Sequence, residues 1–109
     1  MYKTIEADCI LANLLHKYPQ ISIRDLNRAQ AAINKEIGSI YVDVTKNALI
    51  RAVNRWPDMF EWNDNMFRRL RELPASEVDE TFNWRIPADV RCEIFKILDS
   101  ITIQELEEK

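Results

Sequence analysis

The sequence contains very little glycine, cysteine and histidine. Its 109 residues include one glycine, two cysteines and one histidine. With a single glycine there is no glycine-rich loop of the kind that binds nucleotide phosphates. The lone His16 has no metal ligand or nucleophile near it in the sequence, so a structural histidine is favoured. The composition argues against catalysis and predicts a protein that is not an enzyme and uses no metal ion or other cofactor.

The two cysteines, Cys9 and Cys92, lie far apart and have no spaced partners. A disulfide framework would need more cysteines, and a zinc site would need a cluster of Cys and His. We therefore expect both cysteines to act as small buried hydrophobic residues.

Long hydrophobic runs are also missing. No stretch approaches the roughly 20 apolar residues that span a bilayer. Acidic residues occur near the N-terminus, at Glu6 and Asp8. They interrupt the apolar run that a signal peptide needs, so no signal peptide is predicted. With a hydrophobic fraction of 47%, the sequence predicts a single folded domain over residues 1–109, cytoplasmic and without a membrane partner.

The charge is unevenly distributed along the chain. The net charge is −3. Residues 1–73 hold eleven Lys and Arg against nine Asp and Glu, whereas residues 74–109 hold four against nine. This asymmetry allows an anionic partner on one face and a basic partner surface at the acidic C-terminal third, without requiring either.

Apolar residues recur at helical spacing in four segments, residues 4–17, 22–37, 45–55 and 86–102. Thr4 is expected to cap the first helix and Pro19 to end it. Ser22 or Asp25 is expected to open the second helix, and Gly38 to end it in a left-handed conformation. Asp43 or Thr45 is expected to cap the third helix.

Short strands are predicted between these helices. Residues 21–23 alternate as one small strand, and residues 39–44 form an extended connector between the second and third helices. Aromatic-rich runs at 59–62 and 66–70 flank Asn63-Asp64-Asn65, which predicts a β-hairpin. A polar connector is expected over 73–85. The predicted fold is mainly α with a small β-hairpin, an α+β fold.

Three helices followed by a two-stranded hairpin resemble the winged helix-turn-helix domain over about residues 4–72. The run TKNALIRAVNRWPDMFEW at 45–62 resembles a winged-helix third helix entering its wing. The long connector before it is similar to the LOTUS-type variant. This resemblance implies a three-helix core with an additional C-terminal helix, and a third helix that contacts nucleic acid while the wing approaches the backbone. It would suit a small regulator of phage or mobile-element type.

The residues that would make these contacts are polar and lie on the third helix and the hairpin. Asn47, Arg51, Asn54 and Arg55 share one helical face by their spacing. Arginine and asparagine can bind base edges, and lysine can bind phosphate. The expected nucleic-acid contacts are Lys46, Asn47, Arg51, Asn54, Arg55, Arg68 and Arg69.

Other interpretations remain open at this stage. A polar outer face is ordinary on any amphipathic helix. The same scaffold could instead bind or inhibit another protein through the acidic C-terminal third, with the contacts Glu77, Asp79, Glu80, Phe82 and Trp84. The clustered Trp56, Phe60, Trp62 and Phe67 are expected in the core beneath the hairpin. The last helix is expected to pack on its own domain, with a homodimer through that helix as the alternative.

Overall fold

The computed structural model describes residues 3–38, 40–42 and 44–101. Helices dominate this part of the chain, and the predicted α+β class is confirmed. In chain order the elements are β1 (Lys3–Ile5), α1 (Ala7–Lys17), β2 (Gln20–Ser22), α2 (Ile23–Glu36), β3 (Ile40–Val42), α3 (Lys46–Arg55), β4 (Phe60–Asn63), β5 (Met66–Arg69), α4 (Ala75–Thr81), a 3-10 turn (Asn83–Arg85) and α5 (Arg91–Ser100).

The predicted hairpin is confirmed and belongs to a three-stranded antiparallel sheet in the order β2-β5-β4. Asp64 and Asn65 form its two-residue loop, with φ angles of 54° and 62°. Positive φ at both loop positions is typical of a type I′ turn, whose twist suits a hairpin. The small strand before α2 pairs with β5, where Ile21 lies opposite Phe67.

Two of the predicted helix starts are confirmed by their caps. Ser22 Oγ accepts a hydrogen bond from the Asp25 amide at 3.2 Å, and Thr45 Oγ1 accepts one from the Ala48 amide at 3.3 Å. Each cap satisfies a backbone N–H that has no partner inside its helix. The extended backbone of Tyr18, before Pro19, ends α1 as expected.

The prediction that α1 starts at Thr4 is wrong. Residues 3–5 form β1, which pairs in parallel with β3, so that Ile5 lies opposite Val42. The helix begins only after Glu6, whose backbone is extended and whose side chain makes no capping bond. Pairing with a distant strand therefore outweighs the local helical pattern at this end of the chain.

The expected left-handed cap at Gly38 is also wrong. Gly38 does not have a positive φ. The helix ends at Glu36, and its C-cap is Ile37, whose amide donates to the Ile33 carbonyl at 2.8 Å. A buried isoleucine therefore closes α2 before the glycine is reached.

The region predicted as connector, residues 73–85, is instead largely helical. It holds α4 and the 3-10 turn, because Val78 and Phe82 lie four residues apart and are both buried in the core. The helix predicted to begin at residue 86 begins at Arg91. Its predicted end at residue 102 lies outside the described residues.

One hydrophobic core joins the helices and the sheet, and the fully buried Phe60, Phe67 and Phe82 are its largest side chains. Trp56 packs on Phe82 with a ring-centroid distance of 5.0 Å, and Trp62 packs on Phe67 at 4.8 Å. The aromatic residues near the hairpin thus serve mainly as core, as predicted.

The apolar side of α5 faces this core, where Ile94, Leu98 and Ile101 are buried. The predicted packing of the last helix on its own domain is confirmed. These three side chains are consequently not available to a second copy of the chain.

No helix in the described ranges is long and apolar enough to cross a bilayer.

Candidate functional site

Helix α3 presents a polar face to solvent, as its sequence spacing predicts. Ala48, Leu49 and Ala52 are buried. The exposed side chains include those predicted to contact nucleic acid, namely Lys46, Asn47, Arg51, Asn54 and Arg55. The helix therefore has one face in the core and one face available to a partner.

The hairpin lies beside the N-terminal end of α3. Lys46 Nζ is 5.4 Å from the ring centroid of Trp62 on β4, a distance at which an ammonium group is attracted to the ring. Trp62 is half-buried, since its ring also packs on Phe67. This contact brings the outward face of α3 and the hairpin surface together.

The cations of this surface differ in how far they are already paired. Within the described residues, neither Lys46 nor Arg51 makes an ion pair. Arg68 on β5 pairs with Glu61 at 3.3 Å, and both side chains are about half exposed. Exposed pairs of this kind are weak, so Arg68 can exchange its partner at little cost.

Arg69 has a different role from the predicted one. Its guanidinium donates to the carbonyls of Leu15 and His16 at 2.9 and 3.1 Å. These carbonyls belong to the last turn of α1, where backbone acceptors lack helical partners. Arg69 is mostly buried, so it fastens the hairpin to α1 rather than facing a partner.

Arg55 is likewise engaged within the molecule. Its Nη1 atom lies 3.2 Å from Asp8 Oδ2 and 3.7 Å from Glu6 Oε2. The guanidinium is half-exposed, but its charge is largely balanced by these carboxylates. Of the arginines on α3, Arg51 is the one whose charge remains uncompensated among the described residues.

The buried Asp8 is a central residue that the sequence did not reveal. Its Oδ2 atom accepts hydrogen bonds from Arg85 at 2.8 Å, from Trp56 Nε1 at 3.0 Å and from Arg55 at 3.2 Å. Burial alone would raise the pKa of Asp8, but hydrogen bonds from Arg85 and Trp56 and the nearby charges outweigh it. The pKa of this carboxyl therefore lies below its ordinary value. Its partners are distant in sequence, so no local motif marks the network.

Arg85 extends this network to the N-terminal side of α1. Besides Asp8, it forms a hydrogen-bonded ion pair with Glu6. It also lies near the rings of Phe82 and Trp84, at 5.8 and 6.0 Å from their centroids. The 3-10 turn is therefore fastened to the start of α1 by charge, while the two rings contact the guanidinium from within the turn and its N-cap.

The acidic residues proposed for a protein partner are not equally accessible. Glu77 forms two hydrogen bonds with Arg71, at 2.8 and 2.6 Å, and this arginine lowers the pKa of Glu77. Asp79 accepts a bond from Asn83 at 2.6 Å. Glu80 is exposed and makes no hydrogen bond or ion pair with another described residue. Glu80 is thus the acid of this group most open to a partner.

The two aromatic residues of that set have opposite environments. Phe82 is fully buried, so the prediction that it contacts a partner is wrong. Trp84 is 65% exposed, and its indole N–H donates to the Thr81 carbonyl at 3.2 Å. Only the tryptophan is available as a surface anchor.

His16 and Cys9 have structural roles. His16 Nδ1 donates to the Leu73 carbonyl at 2.6 Å. The buried Cys9 thiol donates to the Phe82 carbonyl at 3.3 Å, and burial raises its pKa to about 12. A thiol with such a pKa stays protonated and is a poor nucleophile. Cys92, by contrast, is exposed, so its expected burial is wrong.

Searches against protein-family models, curated proteins and solved structures find no significant match for this chain.

Proposed function

We propose that this chain is a nucleic-acid-binding module of winged-helix type, which contacts its ligand with α3 and the β4–β5 hairpin. The element order through β5 and the strand order β2-β5-β4 support this class. The observation that carries the proposal is the Lys46–Trp62 contact, which joins the polar face of α3 to the hairpin.

The proposed contact surface consists of Lys46, Asn47, Arg51 and Asn54 on α3 and Arg68 on β5. Arg51 and Lys46 would bind phosphates or guanine edges, and the two asparagines suit adenine edges. Arg55 and Arg69 are left out of this set because they are held by Asp8 and by the end of α1.

Polarisation titrations with labelled duplex and single-stranded probes at low salt test the proposal. We expect binding that weakens steeply as salt rises, because neutralised phosphates release counterions. Reversing two charges, Lys46→Glu with Arg51→Glu, should weaken binding by at least about tenfold, a loss typical of removed phosphate contacts. Neither residue has an ion-pair partner in the described chain, so the fold should persist.

A matched control reverses two cations on another face. Lys35 and Lys96 are exposed and line a groove between α2 and α5. The variant with Lys35→Glu and Lys96→Glu carries the same net charge and should keep most of the affinity. Equal losses in both variants, or no binding to any probe at low salt, would refute the proposed surface.

A protein partner is the second candidate function, favoured by one observation. Trp84 is 65% exposed, and large aromatic side chains often anchor protein interfaces. Glu80 lies nearby on α4 and would suit a basic partner. In a pull-down that includes nuclease, a specific partner should be lost on Trp84→Ala with Glu80→Lys and retained on Lys46→Glu with Arg51→Glu. The reverse pattern would mean that the protein partner binds the α3 surface, and would argue against Trp84 as the anchor.

A further inference from the structure

Trp84 has the most exposed large apolar side chain among the described residues, with 65% of its surface open to solvent. More than half of the ring is uncovered, so at least one of its faces is open. The indole N–H donates to the Thr81 carbonyl at 3.2 Å, which holds the ring in one orientation on the 3-10 turn. A ring that is already oriented loses little conformational freedom when a ligand stacks on it.

This ring lies close to the C-terminal end of α3. The guanidinium of Arg85 is 6.0 Å from the centroid of Trp84, and it pairs with Glu6. Arg55, the last residue of α3, lies 3.7 Å from the same Glu6 oxygen. Both arginines also bind Asp8 Oδ2. Arg55 and Arg85 are therefore close neighbours, and the surface of α3 continues across them to the tryptophan.

The same surface continues into the nucleic-acid face proposed for α3. Arg51 lies one turn before Arg55 and lines a small cavity together with Arg55 and Glu6. Lys46, which contacts the hairpin, lies at the other end of the helix, roughly 14 Å from Arg55 along the axis. One continuous surface thus runs from the hairpin, along α3, to Trp84.

The charge along this surface favours an anionic ligand up to the ring. The three arginines on the path, Arg51, Arg55 and Arg85, outnumber its two carboxylates, and Arg51 makes no ion pair within the described ranges. A strand whose phosphates pair with Arg51 is therefore directed toward Trp84.

Trp84 itself is suited to a base and not to a phosphate. Its ring carries no charge, its N–H is already used by Thr81, and the acidic Glu80 lies nearby on α4. An open aromatic face beside an arginine stacks well on a nucleic-acid base. Bases inside a duplex are already stacked on one another, so the base that reaches the ring must be unpaired.

We propose that Trp84 stacks on an unpaired base next to the end of a duplex that is bound by α3 and the hairpin. The preferred ligand is then a duplex with a single-stranded extension. This inference rests on the proposed function and names its class of ligand. The stack selects for an unpaired base but not for a sequence, because every base has an aromatic face.

Polarisation titrations compare a blunt labelled duplex with the same duplex carrying a short oligothymidine overhang on one strand or the other. We expect at least one overhang to improve affinity by at least about fivefold, the lower end of the range for one stacked base. Trp84→Ala should remove this gain and leave the affinity for the blunt duplex unchanged. Trp84→Phe keeps an aromatic face and should retain most of the gain.

Leu70 provides the matched control, because it is also a large apolar side chain and is 48% exposed. Leu70→Ala should leave the affinities for both probes unchanged. Arg51→Gln should weaken both probes and reduce the salt dependence of binding, since it removes a phosphate contact. Trp84→Ala should leave the salt dependence unchanged, because a stacked base releases no counterion.

Tryptophan fluorescence gives a second measurement. Trp56 and Trp62 are half-buried and pack on Phe82 and Phe67, so Trp84 is the most accessible of the three indoles. The overhang probe should quench fluorescence more strongly than the blunt duplex does. This difference should be lost in Trp84→Phe.

The proposal is overturned if overhangs bind no better than the blunt duplex, or if Trp84→Ala keeps their advantage. In either case, binding of the blunt duplex leaves the proposed function standing. A protein partner that is lost on Trp84→Ala, with overhang affinity unchanged, would assign the ring to the second candidate function instead. A chain that binds none of the probes at low salt loses the proposed function and this inference together.

Discussion

Asp8 and Arg85 form a hydrogen-bonded ion pair of 2.8 Å in which the aspartate side chain is fully buried. The pair joins the start of α1 to the 3-10 turn near the other end of the described chain. Trp56 and Arg55, at the end of α3, bind the same carboxylate oxygen. One buried charge therefore holds three segments together.

Replacing Asp8 by alanine should destabilise the fold strongly. The change leaves the mostly buried Arg85 with only the half-exposed Glu6 as its partner and removes the acceptor of Trp56 Nε1, and breaking a buried pair in this way costs about 3–5 kcal/mol. Urea unfolding followed by circular dichroism measures the loss. Glu6→Ala is the comparison, because Glu6 is half-exposed and its loss should cost much less. Equal effects of the two changes would contradict the central role of Asp8.

Stability should fall in acid partly because of Asp8. Its folded-state pKa lies below the ordinary value of about 3.9, so the unfolded chain binds the proton more readily. The contribution is complete above that ordinary value and is lost as the pH falls through the folded pKa. Urea unfolding between about pH 5 and pH 2 should show a shallower loss for Asp8→Asn than for the unmodified chain. Identical slopes would contradict the assignment.

The neighbouring aromatic residues Phe82 and Trp84 should respond very differently to truncation. Phe82→Ala removes a fully buried ring and should cost about 3–5 kcal/mol of unfolding free energy. Trp84→Ala removes an exposed ring and should change stability by no more than about 0.5 kcal/mol. Chemical denaturation of both variants measures the difference. A large loss for Trp84→Ala would show that its ring is packed in solution.

Adjacent arginines on β5 provide another matched pair. Arg69→Ala removes two bonds to the last turn of α1 and should cost about 1–3 kcal/mol. Arg68→Ala breaks an exposed pair and should cost at most about 1 kcal/mol. Thermal or urea unfolding distinguishes the two. The structural role of Arg69 is refuted if its loss is tolerated as well as that of Arg68.

The hairpin loop offers a stabilising change. Asn65 has a φ angle of 62°, a conformation that glycine adopts without steric cost. Asn65→Gly should raise stability by up to about 0.5 kcal/mol, whereas Asn65→Val should lower it by more than about 1 kcal/mol. Melting temperatures of the two variants should move in opposite directions. A gain with valine would argue against the type I′ loop.

The sequence predicted those elements whose signals are local. The caps at Ser22 and Thr45, the stop before Pro19 and the turn at Asp64-Asn65 each depend on residues within a few positions of one another. The outward face of α3 followed from helical spacing alone. These features needed no knowledge of the tertiary structure.

Several of the errors share one physical cause, which is contact between distant segments. β1 forms because it pairs with β3 across α1 and α2, and α4 forms because Val78 and Phe82 find a core to enter. The same holds for the site: the spacing that placed Arg55 on the outer face could not show that Asp8 holds it. Without its distant partners, a buried aspartate looks like an ordinary acid in the first turn of a helix.

The contact between Trp56 and Phe82 has a consequence for how the chain can be divided. A fragment that ends before α4 would leave the rings of Trp56 and Phe60 uncovered and Asp8 without Arg85. Such a piece would be prone to aggregate, although it would contain every element of the resemblance. In a gene fusion or recombination, the chain must therefore stay continuous through the 3-10 turn if Trp56, Phe60 and Asp8 are to keep their partners.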